Sequence, residues 1–360
     1  MTNPVQEHYQ RYPYPRYPLL ASVPRSDTYA LNLPALWSRF NRCLPPEDAR
    51  ILIAGCGTFS PYPFAVANPG AAITALDISE RSLSRARLHC LLHGRMNVEY
   101  RCGDILDGKS IQGEYALIDS YGVLHHLDDP AAGLKSLEKH LLPGGIIRIM
   151  LYSRYARREE ESIRRALKLL DIRTPAAARR LLDRARPGSR LANFLDAADE
   201  TGTDCGLADA LLHPRVQTYR IDELLELVDR TGLRLLLFAH AGSREDVAGE
   251  IERLRQLEKE RRSPGNFVLY LGTAAGNTPE AGRDSLIVLN PCLKSAVRRF
   301  TPGRIRIPDR IGQENPPLGR PERSFLGRFA EPVFRSTLGR ESAEKVEEYK
   351  RLLFLLEYYP

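Results

Sequence analysis

The stretch ILIAGCGTFS, residues 51–60, decides the fold of this chain. Its apolar start belongs to a short buried strand, Arg50–Ala54, which runs directly into Gly55-Cys56-Gly57-Thr58. Glycines at the carboxyl end of a first parallel strand let the backbone turn sharply, and they let a ligand approach without a Cβ in the way. A helical segment follows the loop. The stretch therefore predicts an α/β fold with a nucleotide-type ligand at this loop.

Strand and helix signals alternate beyond this unit. The clearest helix runs from Ser79, a suitable N-cap, to His93, with Gly94 as its terminator. Short apolar strands separated by helices predict βαβ units and a Rossmann-like, doubly wound, mostly parallel sheet of seven strands. The predicted strands are Arg50–Ala54, Ile73–Asp77, Asn97–Arg101, Tyr115–Asp119, Ile146–Leu151, Leu233–Phe238 and Asn266–Leu271.

Composition divides the chain into three parts. Residues 1–48 form an aromatic, proline-rich arm followed by a helix, and residues 49–273 carry the α/β pattern. Within that domain, residues 154–218 are arginine-rich and helical without a strand signal. Because they follow the fifth strand, they are expected to form a lid at the carboxyl edge of the sheet. Residues 274–360 form a small, basic accessory module.

The accessory module begins with Ala274–Glu280, which has the composition of a linker. Residues 284–340 carry eleven arginines and lysines against five acidic residues. A helix with one apolar face is predicted over Ser342–Glu357. Such a module could bind a partner, a peptide substrate or nucleic acid, or it could pack on the main domain as a structural buttress. The scarcity of aromatic residues for base stacking favours the buttress.

The overall composition excludes several classes of protein. Of 360 residues, 43% are hydrophobic and 27% charged, and no stretch approaches the roughly 18 apolar residues of a membrane span. The N-terminus lacks the apolar core of a secretory signal, so we expect a cytoplasmic protein with no membrane association. Six scattered cysteines without a C-x-x-C pair indicate reduced thiols, and no residue cluster indicates a metal. The net charge of +7 permits nucleic acid as a partner without favouring it, because acidic and basic residues are interspersed.

Two aspartates extend the prediction of a nucleoside site. Asp77 ends the second predicted strand, where a carboxylate can accept hydrogen bonds from both ribose hydroxyls of an adenosine. Asp104 follows the third strand, where it can accept from an adenine amino group, with Ile105 beside the ring. Three neighbouring strand ends thus carry the residue types that a nucleoside needs.

With these motifs, residues 49–273 resemble the class I S-adenosylmethionine-dependent methyltransferases. The stretches YALIDSYGVLHHLDDP (115–130) and LLPGGIIRIMLYS (141–153) also occur in the family's order and spacing. The resemblance implies S-adenosyl-L-methionine as cofactor, with the glycine loop at its methionine portion and residues 119–123 beside the sulfonium. The implied donor-binding residues are Gly55, Cys56, Gly57, Thr58, Phe59, Asp77, Ile78, Asp104, Ile105, Asp119 and Tyr121.

Two positions depart from the family pattern. Ile53 stands where the family often has an acidic residue, and Phe59 replaces a third glycine. Phe59 could narrow the pocket or pack under the following helix. A nicotinamide dinucleotide is the competing cofactor, but the loop lacks the third glycine of G-x-G-x-x-G, which makes this alternative weaker.

Methyl transfer needs an aligned nucleophile, and a base only where that nucleophile carries a proton. His125 and His126 are the candidate catalytic residues, of which at most one is expected to act because they are adjacent. The alternative is that the pair shapes the loop and packs on the donor.

The arm and the end of the fifth strand supply the predicted acceptor-binding residues. In the arm, tyrosines could wall the pocket while an arginine pairs with an acidic group, or the aromatics could merely anchor the arm by burial. The set is Tyr12, Tyr14, Arg16, Tyr17 and Tyr152. For the arginines that follow the fifth strand, a solvated helix face is favoured over contact with an anionic acceptor; these are Arg154, Arg157 and Arg158.

The sequence therefore predicts methyl transfer to an O, N or C nucleophile of a small-molecule or peptide acceptor. An RNA methyltransferase is disfavoured, because the fourth strand is not followed by the Asn/Asp-Pro-Pro-aromatic tetrapeptide of amino-group methylases. The alternative from another class is a non-catalytic module that binds nucleic acid or protein. Retention of Asp77 and Asp104 favours the enzyme.

Overall fold

A seven-stranded sheet forms the centre of the computed structural model, which describes residues 3–273, 284–299 and 302–360. The strand order is β3-β2-β1-β4-β5-β7-β6, and only the last strand to enter, β7, runs antiparallel to its neighbours. The Rossmann-like prediction is confirmed. The strands of this sheet are β1 (Arg50–Ala54), β2 (Ala72–Asp77), β3 (Val98–Cys102), β4 (Tyr115–Tyr121), β5 (Leu141–Leu151), β6 (Arg234–Phe238) and β7 (Phe267–Gly272).

Helices cover both faces of the sheet, so each central strand is buried on two sides. The α-helices are α1 (Pro4–Arg11), α2 (Leu33–Asn41), α3 (Pro61–Ala67), α4 (Glu80–Leu92), α5 (Pro130–Glu138), α6 (Arg158–Leu169), α7 (Pro175–Leu182), α8 (Arg190–Ala197), α9 (Asp204–Leu207), α10 (Ile221–Asp229), α11 (Val247–Lys259), α12 (Lys294–Arg298), α13 (Arg320–Gly327) and α14 (Arg340–Arg351). Helices α2, α3 and α4 pack on one face, and α5, α10 and α11 pack on the other.

Local sequence chemistry sets several of these boundaries. The side-chain oxygen of Ser79 accepts a hydrogen bond from the backbone N–H of Ser82 at 3.2 Å, so Ser79 is the N-cap of α4, as predicted. Gly94, just beyond the end of α4, has a φ of +63°. A glycine there ends the helix without the steric cost of a side chain in the left-handed region.

Residues 154–218 are helical, as the sequence predicts, and they enter and leave the sheet at one point. The backbone N–H of Arg154 donates to the carbonyl of Tyr219, and the N–H of Tyr219 donates to the carbonyl of Tyr152, both at 2.9 Å. The insertion has its own small apolar core, formed by Leu167, Ala178, Leu182, Leu207, Ala210 and Leu211. It is therefore a helical unit anchored beside the carboxyl end of β5.

The C-terminal module contains a second, three-stranded sheet in the order β10-β8-β9. Its strands are β8 (Leu286–Leu289), β9 (Val333–Phe334) and β10 (Leu355–Tyr358). The predicted helix over Ser342–Glu357 is wrong in its last third: α14 ends at Arg351, Leu353 adopts a φ of +58°, and the chain returns as β10. The sequence LLFLL at 352–356 is apolar at every position. A helix would bury only the side chains on one face, whereas all five are buried where the chain returns to pair with β8.

This module shares one continuous apolar core with the main domain. Ile287 and Leu289 on β8 belong to the same buried cluster as Leu33 and Leu36 on α2. The side-chain amide of Asn290 is buried and donates to the carbonyls of Tyr29 and Leu353, at 3.1 and 2.8 Å. This packing agrees with the buttress interpretation. The predicted linker Ala274–Glu280 lies outside the described residues.

In the part of the chain that the structure describes, no helix combines the length and the apolar character needed to cross a bilayer.

The shared core makes a prediction about stability. Phe354 is fully buried, with its ring centroid 5.4 Å from that of Tyr29 and 5.9 Å from that of Tyr349. Phe354→Ala should lower the free energy of unfolding by about 3–5 kcal/mol in chemical denaturation, because it opens a cavity between the module and the main domain. Phe334→Ala is the matched control: Phe334 is 50% exposed, and its loss should cost less than about 0.5 kcal/mol. Equal losses would mean that the two parts do not share a core.

Candidate donor and acceptor site

A cavity of about 330 Å³ lies at the carboxyl edge of the main sheet. Its floor consists of the residues that follow β1 to β5, and its roof consists of the N-terminal arm and the helical insertion. Floor residues are Gly55, Cys56, Gly57, Asp77, Ile78, Gly103, Asp104, Ile105, Leu106, Tyr121, Gly122, Val123, His126, Leu127, Asp128, Met150 and Tyr152. Roof residues are Asn3, Val5, Tyr9, Tyr14, Pro15, Tyr17, Arg157, Glu200, Asp209 and Arg215.

The turn after β1 requires glycine at positions 55 and 57, because of its backbone conformation and because of its close contacts. Gly55 and Gly57 have φ values of +79° and +56°. A Cβ on Gly55 would lie 2.4 Å from a methyl carbon of Val123, and a Cβ on Gly57 would lie 2.7 Å from the carbonyl oxygen of Tyr14. Glycine at these positions therefore lets the arm and the loop after β4 close directly onto the turn.

Asp77 is held in place by backbone donors at the centre of the floor. Its Oδ2 accepts from the N–H of Gly57 at 2.7 Å, and its Oδ1 accepts from the N–H of Ser79 at 2.9 Å. Burial raises the pKa of this carboxyl to about 6, against the opposing effect of the two backbone donors. Each oxygen has a second lone pair, so the carboxylate can still accept two hydroxyl groups of a ligand.

Asp104 lies one strand further along the same edge. Its Oδ1 accepts from the N–H of Leu106 at 2.9 Å, and its Oδ2 lies 3.5 Å from the side-chain nitrogen of Asn3. Ile105 is 5% exposed and also lines the cavity. An acceptor oxygen and an apolar surface thus lie side by side, as predicted for a site that binds an adenine ring.

The N-terminal arm is docked over the floor by several hydrogen bonds. The side-chain amide of Gln6 donates to the carbonyl of Ile78 at 3.1 Å, and the hydroxyl of Ser79 donates to the carbonyl of Tyr9 at 3.1 Å. Both contacts join α1 to the segment that follows β2. The arm therefore covers the place where Asp77 offers its free lone pairs.

The arm is also tied to the insertion above the cavity. The hydroxyl of Tyr9 donates to Oδ1 of Asp209 at 2.9 Å, and the hydroxyl of Tyr14 donates to Oε2 of Glu200 at 3.3 Å. Arg157 pairs with Oε1 of Glu200 at 3.2 Å. Burial raises the pKa of Asp209 to about 7. Two segments almost two hundred residues apart in sequence thus form one roof.

The two adjacent histidines occupy different environments. His125 is fully buried, stacks on Tyr152 with 3.8 Å between ring centroids, and is not among the lining residues. His126 lines the cavity and stacks on His213. Its Nδ1 lies 2.8 Å from the carbonyl oxygen of Arg215, so Nδ1 donates and Nε2 is the free lone pair. Burial lowers the pKa of His126 to about 3, so the ring is neutral at physiological pH.

The cavity brings together most of the residues that the sequence singles out. Their roles remain predictions, but their positions are now defined. Of the predicted donor-binding residues, the cavity is lined by Gly55, Cys56, Gly57, Asp77, Ile78, Asp104, Ile105 and Tyr121. Of the predicted acceptor-binding and catalytic residues, it is lined by Tyr14, Tyr17, Tyr152 and His126.

Three predicted donor-binding residues lie next to the cavity without lining it. The backbone N–H of Thr58 donates to the carbonyl of Tyr14 at 3.2 Å, so this residue anchors the arm. The ring of Phe59 packs against Tyr62 on α3, the following helix, with 5.8 Å between centroids, and against His89 on α4 at 5.0 Å. Asp119 is 2% exposed and forms an ion pair of 2.5 Å with Arg148.

Two predicted acceptor-binding residues, Tyr12 and Arg16, do not line the cavity. Arg16 is exposed, and the Tyr12 ring contacts the guanidinium of Arg11 at 5.3 Å. By contrast, the prediction of a solvated face is wrong for Arg157, whose side chain is 16% exposed and lies 4.1 Å from the centroid of the Tyr152 ring. Ion pairs with Glu160 and Glu200, at 2.9 and 3.2 Å, and the contact with this ring hold Arg157 in the roof.

Several lining residues have no signal in the sequence analysis. From the arm these are Asn3, Val5 and Tyr9, and from the insertion they are Glu200, Asp209 and Arg215. The insertion has the polar composition of an exposed helical segment. Which of its charged side chains line the cavity becomes clear only from its contacts with the N-terminal arm. The tyrosines of the arm are the nearest available clue, because buried tyrosine hydroxyls usually find a polar partner.

The comparisons with known proteins agree with this geometry. Residues 52–147 match the model of a methyltransferase domain family. An uncharacterised protein of Synechococcus is 32% identical over 251 residues, which cover 66% of this chain and 60% of that protein. The ubiquinone biosynthesis O-methyltransferase of Xanthomonas axonopodis pv. citri is 32% identical over 126 residues, 35% of this chain and 52% of that enzyme. The chain thus spans less than two thirds of the length of these relatives.

Among solved structures, PKMT2 from Rickettsia typhi shares the fold. It superposes with a TM-score of 0.55 at 18% sequence identity, over 95% of this chain and 77% of that one. Its complex with AdoHcy gives the same TM-score at 16% identity. The strand order and the glycine turn are those of a Rossmann-like fold. The stretch that matches a methyltransferase domain, residues 52–147, includes the glycine turn, Asp77 and Asp104.

The histidines beneath the roof make docking of the arm sensitive to pH. His8 on α1 packs on His213, with 4.7 Å between ring centroids. Burial, together with the nearby Arg164 guanidinium, lowers the pKa of His8 to about 4. A released arm would restore a pKa near 6.5. The docked arm is therefore fully stabilised above about pH 6.5, and it loses about 1.4 kcal/mol per pH unit as the pH falls from there towards 4.

His8→Gln should reduce this acid sensitivity. We expect the fall in melting temperature between about pH 7.5 and about pH 5 to be smaller in the variant than in the parent protein. Buried carboxyls with raised pKa values, Asp77 and Asp209, oppose the trend, but they are common to both proteins and cancel in the comparison. His140→Gln, at the opposite edge of the sheet, should behave as the parent protein does. An unchanged pH response in His8→Gln would show that His8 does not couple docking to protonation.

Proposed function

We propose that this chain transfers a methyl group from S-adenosyl-L-methionine to an O, N or C nucleophile of a small-molecule or peptide acceptor. The observation that carries the proposal is the pair of carboxylates, Asp77 and Asp104, at adjacent strand ends beneath one roofed cavity. Together with the tight glycine turn, this pair offers acceptors for a ribose and an adenine at the spacing of neighbouring strands. A non-catalytic module would not need them.

The residues of the floor fit the donor in an extended arrangement. Asp104 and Ile105 would hold the adenine, Asp77 the ribose hydroxyls, and the backbone at Gly55 and Gly57 the methionine portion. When bound, S-adenosylmethionine supplies an electrophilic methyl group on a sulfonium. What the chain contributes is the alignment of a nucleophile with that methyl and the exclusion of water, for which the closed roof is suited.

The acceptor would bind where the lining comes from the roof and from the ends of β4 and β5. Tyr14, Tyr17 and Tyr152 are the predicted acceptor-binding residues that line the cavity, and His126 is the member of the histidine pair that lines it. Tyr12 and Arg16 would act only on an acceptor that extends beyond the cavity. We place the reaction in the cytoplasm, because the cysteines are free thiols, including the exposed Cys43 and Cys102.

Replacement of the central carboxylate tests the donor site. Asp77→Ala should weaken binding of S-adenosylmethionine or its demethylated product at least about tenfold, or about 1.4 kcal/mol, in isothermal titration calorimetry. The loss arises because the ribose hydroxyls lose a charged acceptor. Asp48→Ala removes an exposed carboxylate just before β1, at the opposite edge of the sheet, and should leave the affinity unchanged. Wild-type affinity in Asp77→Ala would refute the ribose assignment.

The histidine pair is tested by separate replacements with asparagine. We expect His126→Asn to slow turnover at saturating donor at least about tenfold, because a ring beside the acceptor is lost, with donor affinity within about threefold. The acidic limb of the pH–rate profile should be unchanged, because burial keeps the His126 ring neutral. His125→Asn should act mainly on thermal stability, since His125 is buried behind the lining. The opposite pattern would assign the catalytic role to His125.

A further inference from the structure

The roof of the cavity contains a carboxylate with an unused oxygen. Asp209 is 6% exposed and lines the cavity. Its Oδ1 accepts the Tyr9 hydroxyl, whereas its Oδ2 accepts no hydrogen bond and forms no ion pair with any residue that the structure describes. A buried carboxylate without a cationic partner is costly, so it is seldom retained without a function.

The nearby cations do not neutralise this group. The Nη1 of Arg157 donates to Glu160 at 2.9 Å and to Glu200 at 3.2 Å, and it therefore already has two carboxylate partners. The Nη2 of Arg164 donates to the carbonyl of His213 at 2.7 Å. Burial raises the pKa of Asp209 to about 7, and the Arg157 and Arg164 guanidiniums offset this effect only in part. This end of the cavity thus has an excess of negative charge.

Acidic side chains also outnumber basic ones in the lining of the whole cavity. Among the described residues, five carboxylates and two cationic side chains line the cavity; the carboxylates are Asp77, Asp104, Asp128, Glu200 and Asp209, and the cations are Arg157 and Arg215. Arg215 is paired with Asp128. Asp77 and Asp104 are the residues proposed to bind the nucleoside. Glu200, shared with Arg157, and Asp209 are left for the acceptor.

We propose that the acceptor is a cationic amine, whose ammonium group binds Oδ2 of Asp209 with Glu200 close by. This inference rests on the proposed methyl transfer and specifies its substrate class. The hydroxyls of Tyr9 and Tyr14 fix the two carboxylates, so the site is preorganised by the docked arm. An anionic acceptor would be repelled here, and a neutral alcohol would leave the Asp209 carboxylate without a positive partner.

The Asp209 carboxylate can also accept the proton that the ammonium group must lose. An ammonium nitrogen has no lone pair, so it must lose one proton before it can attack. Asp209 takes that proton, and the freed lone pair forms the new C–N bond to the methyl carbon as the C–S bond breaks. The electron pair of that bond stays on sulfur. The products are the methylated ammonium, the neutral thioether and a protonated Asp209, which releases its proton to solvent.

Short peptides with one varied side chain test this assignment. We would supply acetylated, amidated alanine peptides that contain one lysine, serine or glutamate, and putrescine as a free amine, each with methyl-labelled S-adenosylmethionine. We expect label on an amine probe and on neither the serine nor the glutamate peptide. Labelling of the lysine peptide alone indicates a peptide side chain as the source of the amine, and labelling of putrescine alone indicates a free amine.

Asp209→Asn is the matching substitution, because it removes the charge and keeps the shape. We expect kcat/KM for the labelled amine to fall about a hundredfold. Binding of that amine to the protein saturated with AdoHcy, measured by calorimetry, should weaken at least about tenfold. Asp204→Asn makes the same charge change in the same insertion, on a side chain that is 68% exposed, and should change neither quantity. Glu200→Gln should have a smaller effect than Asp209→Asn, because Arg157 already shares that charge.

The outcomes separate this inference from the proposed function. If the unmodified protein does not bind S-adenosylmethionine, the proposed function itself fails. If it binds the donor but labels no amine, or labels the serine or glutamate peptide instead, the amine assignment fails while the donor site stands. If Asp209→Asn weakens AdoHcy binding more than about tenfold and leaves amine binding unchanged, Asp209 serves the donor and the assignment fails. A fold check by melting temperature accompanies each variant, and Asp209→Glu, which keeps the charge, should recover part of the amine binding.

Discussion

The site is organised around Gly57, which meets two other segments of the chain at once. Its backbone N–H donates to the buried carboxylate of Asp77 at 2.7 Å, and the carbonyl oxygen of Tyr14 lies 2.7 Å from the position that a Cβ of residue 57 would take. A side chain here would force the arm away and disturb the turn that orients the carboxylate. Floor and roof of the cavity therefore depend on one residue without a side chain, at the carboxyl end of β1.

The roof is built from polar contacts rather than from an extended apolar interface. Tyr9 and Tyr14 of the arm bind two acids of the insertion, and Arg157 joins one of those acids to the end of β5. These bonds hold the buried Asp209 and the partly exposed Glu200 in place, so the roof can bind a ligand as well as cover the cavity. A ligand that supplies positive charge would relieve the cost of burying these carboxylates.

The acid-rich lining also bears on the basic character of the whole chain. The net charge of +7 suggests an acidic partner when it is considered alone, yet the cavity has five carboxylates against two arginines. The net charge sums all charged side chains of the protein, whereas the charge of the cavity depends only on the side chains that line it. The two can therefore differ in sign. The C-terminal module, with its many arginines, packs its apolar residues into the main core, and its basic residues remain largely at the surface.

The sequence by itself determined the sheet, the glycine turn, and the places of Asp77, Asp104 and Ser79, because these follow from patterns within a few residues and from the rule that parallel strand ends share an edge. It placed too much of residues 342–357 in a helix, since an apolar run can belong to either element. Only the tertiary structure decided which of His125 and His126 reaches the cavity, that Arg157 is buried, and that Asp209 meets Tyr9. These last contacts join residues up to 200 positions apart. Packing of the whole chain sets such contacts, so no local spacing can reveal them.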